Sequence, residues 1–121
     1  MPAGTWLVAL MSGSTALPRA VCRSRASWEA SVAHVAELTG TGPGCRVLVP
    51  GPMSSTLYLH AAWHARRVGA EVRKVSLPHD RTLSDLSEVE KAVEEFRPKM
   101  ITAVHCETPS GTLNPLSDLG A

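Results

Sequence analysis

Arg46-Val47-Leu48-Val49 is a short apolar run stopped by Pro50-Gly51-Pro52, the pattern of a strand buried on both faces. The period then changes. Leu57, Ala61, His64, Ala65 and Val68 recur at helical spacing, Ser54 or Ser55 stands where an N-cap is expected, and Gly69 closes the helix. A valine-rich strand is predicted over residues 71–77. Ser87-Glu88-Val89-Glu90 has the form of a capping box opening a helix that runs to Phe96, with Pro98 beyond its end. Residues 100–105 read as another apolar strand and residues 106–113 as a loop. Pro115 is suited to the first turn of a further helix.

The N-terminal part is patterned less regularly. Residues 7–11 are apolar and predict a short buried strand, followed by the loop-like cluster Ser12-Gly13-Ser14-Thr15. Ser27 can cap a helix over residues 27–38, with Trp28, Val32, Val35 and Leu38 as its apolar positions. Residues 39–44 carry three glycines and a proline and read as a turn. From Arg46 onward the order is strand, helix, strand, helix, strand, loop. Such alternation predicts an α/β fold with a mostly parallel sheet and helices on its faces. Ligands of such sheets bind beyond the carboxyl ends of the strands, where the loop after His105 lies.

Composition narrows the class. The 121 residues are 44% apolar and 19% charged with a formal net charge of +1, an ordinary globular balance that suggests neither nucleic acid nor an acidic membrane as partner. No apolar stretch is long enough to span a bilayer. Three scattered cysteines without CxxC spacing argue against a disulfide framework and for an intracellular setting, most simply the cytoplasm. The first acidic residue is Glu29, after Arg19, Arg23, Arg25 and several serines. That composition faintly favours a mitochondrial transit peptide, but Pro18 would interrupt its helix.

The loop carries the most specific signal. Val104-His105-Cys106-Glu107-Thr108-Pro109-Ser110-Gly111-Thr112-Leu113-Asn114-Pro115-Leu116 resembles the H-x-E-[ST]-x-[ST]-G-x-L-x-P-[LI] segment of the class V aminotransferases, a group that includes alanine–glyoxylate and serine–pyruvate aminotransferases. Arg46 to Val49, Gly51, Gly69-Ala70-Glu71-Val72 and the glutamate-rich helix before Phe96 follow in the same order. The resemblance covers residues 27–121 and leaves 1–26 as a poorly matched segment.

The resemblance implies part of the large domain of a fold-type I transferase dependent on pyridoxal 5′-phosphate (PLP). It implies amino transfer from a small amino acid to a 2-oxo acid or glyoxylate, a homodimer, and the cytoplasm, mitochondrion or peroxisome as location. It also implies that Thr108 hydrogen-bonds the ring hydroxyl of the cofactor, that Glu107 is a structural acceptor and that Gly111 serves a turn. For the phosphate, Ser12, Gly13, Ser14 and Thr15 resemble the family's glycine-rich loop in composition. A second register aligns Glu29 with the family's glutamate and places Arg23-Ser24-Arg25-Ala26 there, and a serine-rich surface turn is the plain alternative. For the aromatic residue that stacks on the cofactor ring, Met53 and Tyr58 are the candidates, Tyr58 being expected on half-buried helix surface. Trp63 reads as core or dimer contact.

The chain has only Lys74, Lys91 and Lys99, and none is expected at the carboxyl end of a strand. The family's Schiff-base lysine and the aspartate that holds its pyridine nitrogen are expected beyond Ala121. By this reading the chain has no catalytic residue and is an inactive fragment. The alternatives are a truncated domain that acts by association, or one without function.

Two further constellations are weaker. His60 and His64 are spaced for one helix face, but the glutamate of HExxH is absent, and a histidine pair is the expectation rather than a metal site. His105 and Cys106 are adjacent at the end of a predicted strand, and adjacent strand residues point to opposite faces, which disfavours a thiol nucleophile. An exposed sheet edge, an unfinished last helix and a parallel sheet with part of its cover missing predict self-association of the isolated chain. Light scattering should find polydisperse material; a monodisperse monomer that melts cooperatively is the contrary outcome.

Overall fold

The computed structural model describes residues 3–11, 17, 19–76, 86–104, 106–107, 112–114 and 117. They belong to two compact units, residues 1–39 and 40–121.

The second unit is built around β3 (Arg46–Val49), the strand read from its apolar run. It pairs in parallel with β4 (Glu71–Lys74) on one side and with β5 (Met100–Ile101) on the other, so the order is β4-β3-β5. Val47, Leu48 and Val49 are each 0% exposed. Their alternation divides the core into two layers. Val47 and Val49 pack with Tyr58, Ala62 and Ala65 of helix α3 (Thr56–Arg67). Leu48 packs on the opposite face with Val89, Ala92 and Phe96 of helix α4 (Ser87–Phe96). Both faces of the sheet are therefore covered, as a parallel sheet requires. The expectation of missing cover is corrected for these two faces, and among the described residues no further strand pairs with the outer edge of β4 or β5.

Both helices are close to the predicted ones, with instructive differences. Helix α3 starts after Ser55 and stops at Val68, and Gly69 takes a φ of +82° that a side chain would resist. His64, Arg66 and Arg67 stand in its last turn, where positive charge suits the helix dipole. Its buried face is rotated from the predicted one. Tyr58, Ala62, His64 and Ala65 are inside, whereas Leu57 is 66% exposed. In α4, Ser87 is the first helical residue and Leu86 holds the N-cap position without a side-chain cap bond, so the expected capping box does not form. The helix ends on Arg97 at φ +49°, just before Pro98.

Two strands are shorter than predicted: β4 stops at Lys74 and β5 at Ile101. The ladder continues a little beyond each, through Val75 N–H to Val49 O and Thr102 N–H to Leu48 O. The predicted loop over residues 106–113 contains a short antiparallel pair, β6 (Cys106–Glu107) with β7 (Thr112–Leu113). Outside the edge of the core, Arg73 lies over the Phe96 ring at 4.8 Å and pairs with Glu95 at 3.1 Å. That ion pair is exposed and contributes little stability.

The first unit is an antiparallel pair, β1 (Thr5–Met11) with β2 (Arg19–Ser24), followed by helices α1 (Arg25–Glu29) and α2 (Val32–Thr39). The predicted buried strand over residues 7–11 is real but not buried, since Leu10 is 71% exposed. The predicted helix over residues 27–38 is two helices. Ser24, not Ser27, is the cap: its Oγ accepts from Ser27 N–H at 3.2 Å, and Ser27 Oγ donates back to Ser24 O at 2.7 Å. The break falls at Ser31, whose hydroxyl and N–H both bond to Trp28 O. A serine with such local alternatives competes with the helix ladder. Trp28 is buried and meets the edge of Trp6 with ring centroids 5.3 Å apart.

Gly51, just beyond β3, is a steric test of this packing. A Cβ there would collide with the ring of Tyr58. The substitution Gly51→Ala should cost about 1–3 kcal/mol, the usual range for overpacking. Urea denaturation is the measurement, and an unchanged midpoint would show that the ring has room to retreat.

Candidate functional site

The order β4-β3-β5 carries a consequence for where a ligand would bind. From β3 the chain passes through α3 to β4 on one side, then through α4 to β5 on the other. The strand order thus reverses between β3 and β5, and open α/β sheets bind ligands beyond the carboxyl ends of strands at such a point.

Four features gather at this place. Gly51 follows β3 and lies under the Tyr58 ring. Tyr58 is 2% exposed, and its Oη accepts a hydrogen bond from Val104 N–H at 3.2 Å. Asn114, just after β7, is 3% exposed, and its Nδ2 donates to Val104 O. Thr102 Oγ1 is buried with no hydrogen-bond partner among the described residues. Met100 and Val104 pack with the α3 layer, and Ile101 and Ala103 with the α4 layer, so alternation puts Thr102 on the α3 side.

The predicted site residues are distributed as follows. Thr108, Ser12, Gly13, Ser14 and Thr15 lie outside the described residues, as do Gly111 and His105 and the side chains of Cys106 and Glu107. The elements that flank Ser12 to Thr15 in the chain are β1 and β2, an antiparallel pair. In the second register, Ser24 leads from β2 into α1. Tyr58 is corrected from half-buried surface to core, and both its ring and its hydroxyl are engaged. Met53 is partly buried against the same cluster. Trp63 is half-buried with its ring tilted against His60 at 5.7 Å.

Sequence reasoning offers Tyr58 only as a ring-stacking candidate or half-buried helix surface and Asn114 only as the entry to a further helix, so it misses both as groups that bond the backbone of Val104. The spacing of Tyr58 to Ala62 and Ala65 was a usable signal. A large ring followed by small residues at i+4 and i+7 marks a helix face that approaches a sheet closely.

PLP requires an amine, a carboxylate for its pyridine nitrogen, an anion cradle and a ring face. The described residues supply these incompletely. Lys74 ends β4, which corrects the expectation that no lysine ends a strand, but it is exposed. It borders an open groove of about 310 Å³ together with Arg73, Lys91, Glu88 and Glu95, where acids offset the cations. Lys99 precedes β5, at the opposite end of the strands from the switch point, and donates to Gly40 O at 3.1 Å. No described aromatic ring offers a free face at the switch point. The described residues therefore do not fit PLP by themselves, and no chemical step is assigned to them. They form the frame on which a site could stand.

No family model matches the chain. Among solved structures it is similar to the alanine–glyoxylate aminotransferase of Nostoc sp., at 34% identity over 78% of this chain with a TM-score of 0.58. It is also similar to the ureidoglycine–glyoxylate aminotransferase of Bacillus subtilis, at 26% identity over 74% of this chain with a TM-score of 0.57. The chain spans 23% of the length of each. Its α/β architecture is that of a part of these aminotransferases. Among the described residues no helix is long and apolar enough to cross a membrane.

The histidines of α3 bear on stability. His64 is 2% exposed, and the rings of His60 and His64 stack with centroids 6.3 Å apart. No group of three or more metal-ligating side chains occurs among the described residues. Burial, and secondarily the charge of His64, holds the His60 pKa below its ordinary 6.5. The folded state therefore binds fewer protons than the unfolded chain just below that value. The stability linked to His60 is complete above 6.5 and declines as pH falls toward the lowered folded-state value. Denaturation followed between neutral and mildly acidic pH should show this decline, and His60→Gln should flatten it. An equal slope in the variant would assign the decline to another group.

Proposed function

We propose that this chain is part of the large domain of a PLP-dependent aminotransferase of the class V type, acting on a small amino acid and a 2-oxo acid. The observation that carries the reading is a coincidence of place. The segment resembling the class V motif leaves the sheet at the β3–β5 reversal, and the same chain is similar in structure to two glyoxylate-using aminotransferases. Glyoxylate occurs in both of their names and is the acceptor this reading favours. Val104 and Asn114, both tied down there, bracket the part of the motif from His105 to Leu113.

In this reading Thr108 donates a hydrogen bond to the ring hydroxyl of the cofactor, which orients the ring without adding charge. Ser12 to Thr15 remain the compositional candidates for the phosphate, with the Ser24 turn as the second register. When bound, PLP supplies an electron sink for the amino acid. The amine that holds it and the carboxylate for its pyridine nitrogen come from outside these 121 residues, and a homodimer completes each site. A domain that acts only by association is the competing reading.

The test is made on the natural gene product, by intact mass and by reading the transcript past the codon for Ala121. The reading expects a frame that continues through an aspartate and a lysine, and a protein with a visible cofactor band that borohydride abolishes. Thr108→Val should then weaken PLP binding about tenfold, the effect of one hydrogen bond of ~1–1.5 kcal/mol. A product that ends at Ala121 and stays colourless with PLP would sink the catalytic reading.

A further inference from the structure

We propose that Tyr58 and Asn114 are positioning residues that clamp the Val104 peptide from its two sides and so set where the β6–β7 pair stands beyond β3 and β5. The inference rests on the preceding reading only in that the segment between β6 and β7 contains Thr108.

The geometry is a line of contacts from the core outward. The absent side chain of Gly51 makes room for the Tyr58 ring. That ring is held in the α3 layer with Val47, Val49, Ala62 and Ala65, and its hydroxyl reaches the N–H of Val104. The carbonyl of the same residue receives the Asn114 amide. Val104 and Asn114 stand at the base of the pair, where Cys106 faces Leu113 and Glu107 faces Thr112. Strands of two residues have too few ladder bonds to hold themselves in place. Their position is inherited from what grips the base, and both gripping side chains are buried. A buried hydrogen bond that loses one partner leaves the other unsatisfied at a cost of ~1–3 kcal/mol. The Val104 peptide therefore stays bonded on both sides only while both side chains are in place.

A clamp can be separated from mere packing, because Tyr58→Phe keeps the ring and removes only the hydroxyl. The experiment compares the 15N-labelled chain with its Tyr58→Phe and Asn114→Ala variants by amide hydrogen exchange. We expect Tyr58→Phe to speed exchange of the Val104 amide about tenfold, one lost hydrogen bond, while the Leu48 and Val49 amides keep their protection. We expect Asn114→Ala to speed exchange of the β6–β7 ladder amides about tenfold, again one lost hydrogen bond, and the double variant to do so by less than the product of the single effects, as residues in one network do. Unchanged exchange at Val104 overturns the clamp. So does equal loss of protection in β3, which would mean lowered stability rather than lost position. Unchanged exchange in the β6–β7 pair of both variants overturns the positioning role.

Discussion

Complete burial of β3 on both faces is the constraint from which the second unit follows. Val47, Leu48 and Val49 are shut off from water, and their backbone groups are paired with parallel strands on both sides. Burying one such side chain is worth ~1.5–3 kcal/mol, but only if another layer covers it. Two layers are needed because neighbouring side chains point to opposite faces. Helix α3 covers Val47 and Val49, and helix α4 covers Leu48. With one helix on each face, β4 and β5 flank β3, and the order reverses beside it.

The end of that strand also organises the candidate site. Pro50 and Gly51 end β3, and the missing side chain at Gly51 lets Tyr58 sit against the backbone. Tyr58 is at once a core residue and the acceptor for Val104 N–H. Core packing and loop placement are thus coupled through one side chain. Leu57 in its place would fill space but satisfy no N–H, which accounts for the rotation of α3 away from the predicted face.

The similarity to two aminotransferases and the incomplete donor set among the described residues are compatible. PLP needs an amine, a carboxylate, an anion cradle and a ring face, and this chain spans 23% of the length of each solved relative. Its described share is the frame: a reversed strand order, a covered sheet and a tied loop base. Lys74 shows why a lysine at a strand end is not enough. It is exposed, and nothing in its surroundings selects it as a nucleophile.

Sequence alone determined the α/β class, the extent of Arg46–Val49 and the existence of α3 and α4. Each rests on local signals: an apolar run, a helical period, a glycine or proline stop. Only the tertiary structure decided which face of α3 turns inward, that residues 106–113 contain a strand pair, that the helix over residues 27–38 is broken at Ser31, and that Asn114 serves Val104. These depend on partners far along the chain, as Tyr58 and Val104 are 46 residues apart. Hydrophobic periodicity records which residues avoid water. It does not record which buried N–H or carbonyl needs a partner, and that requirement chose Tyr58 and Asn114.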